Sequence, residues 1–336
     1  MQISSKLIWV IGMTAVWTIA VNAQTITTET FGSGANQFSI DFVTIGNPGN
    51  EADTTGDPNP AGSVSYVFNL GKYEISRDQI EKANSAGSLG ITLEDMTSYG
   101  ANGPKRPATG VSWYEAALFV NYLNTSQNYS PAYNFGGPKN PNNPLGLQLW
   151  NSSEPGFQAN LPLRNSQARY FLPSGDEWYK AAYGSPDGSW FKYPTGSQSA
   201  PSPVLGGTDA GTAIFASYDE SWNPIVYPSG PADIDSAGGL SAFGTMGQGG
   251  NVFEWTDGPL NSYESFWLGN MEVRGGLWDS PAFIMENGIR PSNAMWDESY
   301  ATGFRVGMVP EPSSCALLVL GIGGVIALRR VGRRAD

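Results

Sequence analysis

The chain has 336 residues, of which 14% are charged, and it contains 42 glycines and 24 prolines. The formal net charge of −12 argues against a basic surface for nucleic acid, so we expect no nucleic-acid partner. There is no histidine and only one cysteine, which excludes histidine-dependent triads, histidine-ligated zinc and an internal disulfide. The glycine and proline content predicts many turns and few long helices.

The first 23 residues have the pattern of a secretory signal peptide. Lys6 supplies the positive charge, residues 7–20 form the apolar stretch, and Ala23 ends a small-residue cleavage site. The sequence therefore predicts export across the inner membrane, with processing after Ala23.

Strands are predicted where apolar and polar residues alternate. The stretch 37–46 reads as a strand, 63–76 as a strand or hairpin, and 302–309 as a strand near the end of the body. The region between the last predicted helix and Asp279 shows little periodicity and is predicted to be rich in loops. We expect one domain over 63–309, preceded by a strand and loop segment at 24–62.

Three helices are predicted from their N-cap signals. Ser76 precedes the first helical pattern, while Ser112 with Glu115 and Ser174 with Glu177 form capping boxes for the next two. The side chains expected to be buried on the second and third helices are Ala116, Phe119, Val120, Leu123, Trp178, Ala181 and Ala182.

Seven motifs occur in an order typical of one family. They are GKYEISRDQI, RPATGVSWYEAALFVNYL, YFLPSGDEWYKAAYG, FKYPTG, AFGTMGQGGNVFEW, RGGLW and GFRVG. Over roughly 71–307 the chain resembles the formylglycine-generating enzyme (sulfatase-modifying factor) family. The resemblance implies that family's α+β variant of the C-type-lectin-like fold, low in regular structure, with two or three modest helices.

The GNVFEW loop carries the metal prediction. In the family this loop is mainly architectural and holds a structural calcium ion. The resemblance therefore implies Asn251 and Glu254 as oxygen ligands, helped by carbonyls near Gly250 and Val252, which is a donor set that calcium accepts. Gly247 replaces an acidic residue of the family motif, so the alternative stays open that both side chains only hydrogen-bond a tight loop.

The catalytic residues of the family are missing. Its active members oxidise a substrate cysteine with two copper-binding cysteines that lie between the RGG and GFR motifs, because thiolates select copper. Anchored on Arg290, the corresponding positions fall near Ala282 and Asn287. We therefore expect no copper and no formylglycine formation. A related branch that uses histidine-ligated iron is also excluded.

Several further residues have two interpretations. Arg274 and Arg305 could bind substrate, but buried ion pairs are the favoured interpretation. Asp176 and Glu177 are adjacent carboxylates, yet neighbours on a helix point apart and make a poor acid–base pair. Loop carboxylates at Asp41, Asp53 and Asp57 could bind a second calcium ion, although solvated side chains are favoured. One or two exposed tryptophans are expected from the set Trp150, Trp190, Trp222, Trp267 and Trp296.

The end of the chain resembles a PEP-CTERM sorting signal over 310–334. Pro310, Glu311 and Pro312 precede an apolar run at 315–328, and a cluster that includes Arg329 and Arg330 follows. Such a tail implies processing by exosortase-type machinery, a transient C-terminal membrane anchor, and a final place in the envelope, surface or matrix of a Gram-negative bacterium. A plain membrane anchor is the alternative, although the run is short for a full span.

These features lead to one expected function and two alternatives. We expect an exported, non-catalytic surface or matrix protein that binds an exopolysaccharide, a peptide or another surface protein. The first alternative is an enzyme with altered, cysteine-independent chemistry. The second is a structural spacer of the envelope or biofilm matrix.

Overall fold

The computed structural model describes residues 25–140, 143–259 and 269–310. The predicted signal peptide with Ala23 lies outside these residues, as does the sorting segment from Glu311 onward, with Pro312, Arg329 and Arg330. Within the described ranges, no helix combines the length and apolarity needed to cross a bilayer.

The described part contains three α-helices and mostly short strands. The helices are α1 (Arg77–Gly87), α2 (Trp113–Ser126) and α3 (Gly175–Tyr183). The strands are β1 (Ile26–Phe31), β2 (Phe38–Ile45), β3 (Phe68–Gly71), β4 (Tyr170–Phe171), β5 (Ser202–Pro203), β6 (Thr212–Ala213), β7 (Ser217–Tyr218), β8 (Pro224–Val226), β9 (Phe253–Pro259), β10 (Asn270–Arg274), β11 (Ser292–Ala294), β12 (Thr302–Phe304) and β13 (Gly307–Met308). This mixed content confirms the predicted α+β class.

All three helices begin as their sequences predict. The hydroxyls of Ser76, Ser112 and Ser174 each accept the backbone N–H three residues on, and each helix forms a full capping box. The partner in α1 is Gln79, a residue that our sequence analysis did not single out. Such a box satisfies two of the backbone N–H groups that a helix start leaves without partners.

The buried stripe of α2 forms the centre of the largest core cluster. Its four predicted residues are all fully buried, and they share the cluster with Phe31, Trp113, Trp255 and Phe304. The cluster thus joins β1, α2 and the strands β9 and β12. Burial of aromatic rings of this size is a major favourable contribution to folding.

Two sheets contain nine of the thirteen described strands, while β5 pairs with β6 and β7 with β8 in two small sheets. The larger has the order β1-β2-β3-β13-β4, with antiparallel pairs throughout, and the smaller has the order β11-β10-β9-β12, in which β12 runs parallel to β9. The strands of the segment 24–62 therefore lie in one sheet with β3. The single strand predicted at 302–309 is wrong in one respect, because the chain leaves β9 after Phe304 and joins the other sheet at Gly307.

The central strands of the smaller sheet also contradict a prediction. We predicted loops between the third helix and Asp279, yet β9 and β10 lie there and pair with each other. The sequence of β9 is FEWTDGP, in which two acidic residues, Gly and Pro obscure any alternation. Burial explains the strand, since Glu254 through Asp257 are all buried and the acidic side chains face arginines.

Candidate functional site

Glu254 is the acceptor in a buried cluster that we call the ion-pair centre. It consists of Glu254, its cation Arg305 and the hydrogen-bond donor Trp178. Arg305 donates two hydrogen bonds to the carboxylate along one edge of its guanidinium, at 2.5 Å from Nε to Oε2 and 2.5 Å from Nη2 to Oε1. The indole N–H of Trp178 donates to Oε2 at 2.7 Å. All three side chains are fully buried, so the pair ties β9, α3 and the segment after β12 together.

Asn251 is held in the same loop by two hydrogen bonds. Its Oδ1 accepts from the backbone N–H of Ala232 at 2.8 Å, and its Nδ2 donates to Oε1 of Glu74 at 2.9 Å. Burial, with the charge of Glu254 as a second cause, raises the pKa of Glu74. Gly247 has φ +79°, and a Cβ there would lie 2.6 Å from the Glu74 carboxylate, which gives a physical reason for the missing acidic residue.

The calcium prediction can be tested against these contacts. Both oxygens of Glu254 accept from a guanidinium, and the amide oxygen of Asn251 accepts from a backbone N–H. Within the described residues, no three acidic side chains are close enough together to hold a metal ion. These pairings occupy the predicted ligand oxygens, but Oε2 of Glu74, beside Asn251, is buried with no hydrogen-bond partner among the described residues, so the calcium site stays a prediction. Gly250 allows the loop to turn, since its φ is +74°, and the side chain of Val252 is fully buried beneath it.

The interpretation of Arg274 and Arg305 as buried ion pairs is confirmed. Arg274 is fully buried, pairs with Glu272 through its Nε, and donates from Nη2 to the carbonyl of Asp57 at 2.6 Å. Arg290 reaches the other oxygen of Glu272 at 2.7 Å. Arg274 therefore attaches the smaller sheet to the loop that contains Asp57, and Arg290 completes the pairing of Glu272.

The two positions expected to replace catalytic cysteines have different surroundings. Ala282 starts a short 3₁₀ turn and is half-buried against the cluster of Tyr193 and Met285. Asn287 is buried and donates from Nδ2 to Oδ2 of Asp53 at 3.2 Å.

Asp53 is itself only 3% exposed and also accepts from the Tyr179 hydroxyl at 2.7 Å. The prediction that it is a solvated loop carboxylate is therefore wrong. Asn287 thus lies beneath the loop that carries Asp53, whereas Ala282 lines a surface cleft.

That surface depression is an aromatic cleft, which we define as Tyr193, Phe215, Tyr218, Trp222 and Phe283. Its volume is about 410 Å³, and Ala282 forms part of its wall. Trp222 is 69% exposed and packs its ring 5.7 Å from that of Tyr218, measured between centroids.

Trp222 stands on the turn between β7 and β8. Oδ1 of Asp219 fixes this turn by accepting the backbone N–H groups of Ser221 and Asn223, each at 2.8 Å. Among the predicted tryptophans, Trp222 and Trp296 are exposed, Trp150 and Trp190 are half-buried, and Trp267 lies outside the described residues. The expectation of one or two exposed rings is confirmed for the described part.

A second depression is a carboxylate pocket, which we define as Tyr66, Asp176, Asp257, Glu272 and Arg290. Its volume is about 510 Å³. Asp176 and Glu177 point apart as predicted: Asp176 lines the pocket, while Glu177 is buried and accepts from the Tyr66 hydroxyl at 2.6 Å. Asp257 could not be predicted as a site residue, because nothing in the sequence shows that β9 runs beside the start of α3.

Arg164 stands behind this pocket. It is almost fully buried, and its Nη1 lies 3.0 Å from Oε2 of Glu177 while its Nε lies 3.4 Å from Oδ2 of Asp257. Burial raises the pKa of Asp257 to about 7, against the lowering effect of Arg164. The pKa of Asp176 is also raised, chiefly because protein atoms exclude water from its carboxylate, although the residue is exposed at the pocket rim.

The mixed sheets, the three capped helices and the buried GNVFE loop are consistent with a C-type-lectin-like fold. Residues 35–308 match the model of the sulfatase-modifying factor enzyme 1-like domain. Because this match covers most of the chain, the chain belongs to that family.

Solved structures share the fold. The crystal structure of CarF matches with a TM-score of 0.54 and 17% identity, covering 81% of this chain and 99% of that one. The structure of PvdO from Pseudomonas aeruginosa matches with a TM-score of 0.51 and 15% identity, covering 84% of this chain and 98% of that one. At these identities the likeness shows the fold alone. No curated protein matches the chain.

Proposed function

We propose that this family member is an exported, non-catalytic protein that binds an exopolysaccharide through the aromatic cleft. The observation that carries the proposal is the exposed ring of Trp222, held on a fixed turn beside Tyr218 and Phe283. Large aromatic side chains are seldom left exposed together unless they contact a partner. Flat rings beside polar groups suit the apolar faces of sugar rings.

The loss of family chemistry supports a binding role. The sequence has no histidine, and its single cysteine, Cys315, belongs to the predicted sorting segment. Ala282 contributes a methyl group to the wall of the cleft instead of a thiol. Copper oxidation of a peptide cysteine therefore lacks its ligands in the body of this chain.

The two predicted address signals support the proposed location. A signal peptide ending at Ala23 and a sorting segment starting at Pro310 would deliver the body to the envelope, surface or matrix, with exosortase-type machinery as a transient partner. An exported binder of this kind would encounter exopolysaccharide where it acts.

The test is direct binding of the purified protein to exopolysaccharide from the organism that makes it. We expect saturable binding that Trp222→Ala weakens by about fivefold, since an aromatic contact contributes about 1 kcal/mol. Trp296→Ala is the matched control, because Trp296 is 48% exposed but lies outside the cleft. Equal losses in both variants would contradict the proposed surface.

Two further arms separate the alternatives. We expect the same affinity for exopolysaccharide with calcium or with chelator, because both oxygens of Glu254 already accept hydrogen bonds from Arg305. Loss of binding with chelator would instead support the predicted calcium ion. No saturable binding under either condition would overturn the proposal and favour a spacer. Chemical change of the polysaccharide by the protein would favour the enzyme.

A further inference from the structure

The carboxylate pocket is a second site, separate from the aromatic cleft. It lies between the loop around Tyr66, the first turn of α3 and the ends of β9 and β10. Its volume of about 510 Å³ is in the range of small-molecule sites. The cleft and the pocket have no lining residue in common.

Asp257 is the residue that indicates a ligand. It is 1% exposed and lines the pocket, and neither of its carboxyl oxygens has a donor at normal hydrogen-bonding distance within the part of the chain that the structure describes, although the Tyr133 hydroxyl faces it and lowers its pKa. Its nearest cation is Arg164, whose Nε is 3.4 Å away and which is shared with Glu177. Buried polar groups in folded proteins nearly always have partners, so an unsatisfied carboxyl at a pocket wall requires an explanation.

The charges around the pocket define what could satisfy it. Four carboxylates, those of Asp176, Glu177, Asp257 and Glu272, stand with three guanidiniums, those of Arg164, Arg274 and Arg290. Both oxygens of Glu272 are paired, by Arg274 and by Arg290. When all seven groups are ionised, one negative charge is left over; it lies with Asp176 and Asp257, the two carboxyl groups whose pKa values are raised.

A divalent metal ion fits these surroundings less well than a monovalent organic cation. No three acidic side chains converge on one point in the described ranges, and Arg290 lies in the pocket wall. A primary ammonium carries one charge and three N–H donors, which match one surplus charge and several free acceptor positions. Oδ1 of Asp176 already accepts from the backbone N–H of Gly62 at 2.7 Å, so this second acceptor is held in place.

We propose that the carboxylate pocket binds a small ligand through a primary ammonium group that donates to Asp257 and Asp176. The ring of Tyr66, which is 44% exposed, and the side chains of Val64 and Leu161 supply a wall for the carbon skeleton. Tyr66 is oriented by its hydrogen bond to Glu177. The space suits a molecule the size of an amino sugar or a short diamine.

Calorimetry on the full protein tests this proposal with four probes. Glucosamine and 1,5-diaminopentane both carry the ammonium, one on a sugar and the other on an alkyl chain. N-acetylglucosamine and glucose keep the sugar ring without the charge. We expect binding of the first two and at least tenfold weaker binding of the others. Binding of glucosamine alone identifies a sugar-borne ammonium, and binding of diaminopentane alone an alkyl one. Equal binding of N-acetylglucosamine overturns the proposal.

Variants then locate the site. Asp257→Asn and Asp176→Asn should each weaken ammonium binding at least tenfold, because each removes a charge and keeps the shape. Asp78→Asn is the control, since Asp78 lies on α1 in an exposed pair with Lys82. Unchanged affinity in Asp257→Asn overturns the assignment, and thermal unfolding of each variant shows that it is folded. Absence of ammonium binding to the unaltered protein at millimolar concentrations also overturns it.

The pH dependence gives an independent readout with 1,5-diaminopentane. Asp257 is faced by Arg164, Glu177 and Tyr133 on its inner side, and by Asp176, Glu272 and Arg290 across the pocket. Protons compete with the ammonium for the carboxylate, so affinity should fall at least tenfold from pH 7 to pH 5. Asp257→Asn should lose most of this dependence. An unchanged pH profile in that variant contradicts the role of Asp257.

Discussion

Glu254 and Asp257 lie three residues apart on β9, and both are buried, yet their surroundings are opposite. Glu254 accepts two hydrogen bonds from Arg305 and one from Trp178. Asp257 accepts no hydrogen bond of normal length from the described residues and has weaker contacts with Arg164 and the Tyr133 hydroxyl. The same strand therefore carries a fully paired carboxylate at one end and an unsatisfied one at the other.

The difference indicates which of the two carboxylates stabilises the folded state. A buried charge is tolerated when its partners replace the water that it loses, as they do at Glu254. An unsatisfied buried carboxyl reduces stability, and a protein retains such a group where it serves another purpose. Substitutions that remove a partner of Glu254 should therefore lower stability, whereas substitution of Asp257 should raise it.

The largest expected effect comes from breaking the ion-pair centre. Arg305→Met should lower the free energy of unfolding by about 3–5 kcal/mol, because it leaves the carboxylate of Glu254 buried without its cation. Urea unfolding monitored by tryptophan fluorescence measures the change. The matched control is Arg106→Met, whose ion pair with Asp233 is partly exposed and should contribute less than about 1 kcal/mol. A loss no larger than that of the control would show that the pair is dispensable.

A smaller loss is expected from removing one donor to the same carboxylate. Trp178→Phe keeps an aromatic ring in the core but deletes the N–H that donates to Glu254 at 2.7 Å. We expect a loss of about 2 kcal/mol, the usual contribution of a hydrogen bond to a charged group. Trp296→Phe, at an exposed ring, should change stability by less than about 0.5 kcal/mol. Similar values for the two variants would contradict a structural role for the indole N–H.

Local features of the fold could be predicted from the sequence. The capping boxes at Ser112 and Ser174 fix where two helices begin, and the α2 stripe identifies the main core. These signals work because the interacting residues are close in the sequence. Strand β9 was missed for the opposite reason: its acidic residues are buried by arginines that lie far away along the chain, at positions 164 and 305.

The candidate sites were only partly predictable for the same reason. Trp222 was among the tryptophans that the sequence singled out, but its neighbour Phe283 in the cleft was not. The pocket depends on β9 lying beside the first turn of α3, which places Asp257 near Asp176 across 81 positions of sequence. Tertiary packing of this kind leaves no periodic pattern in the sequence.

The smallest expected effect has the opposite sign and concerns Asp257. Its pKa in the folded protein is about 7, against a usual value of 3.8, so the folded state holds this proton more tightly than the unfolded chain does. The contribution of this group to stability is therefore greatest at low pH and is lost as pH rises from about 4 to about 7. Asp257→Asn removes this penalty but also the ion pair with Arg164, so the free energy of unfolding at pH 8 should rise by about 1–2 kcal/mol, less than the roughly 4 kcal/mol that the full pKa shift represents.

At pH 4 the same variant should differ little from the unaltered protein, because Asp257 is then protonated in the folded state. Urea unfolding at both pH values measures the difference, and Asp78→Asn, at a partly exposed pair, is the control. Destabilisation by Asp257→Asn at pH 8 would mean that the long contact with Arg164 is worth more than the burial costs, and that Asp257 belongs to the fold as Glu254 does. A gain in stability together with loss of ammonium binding would instead mean that this carboxylate is retained for a ligand at the expense of stability.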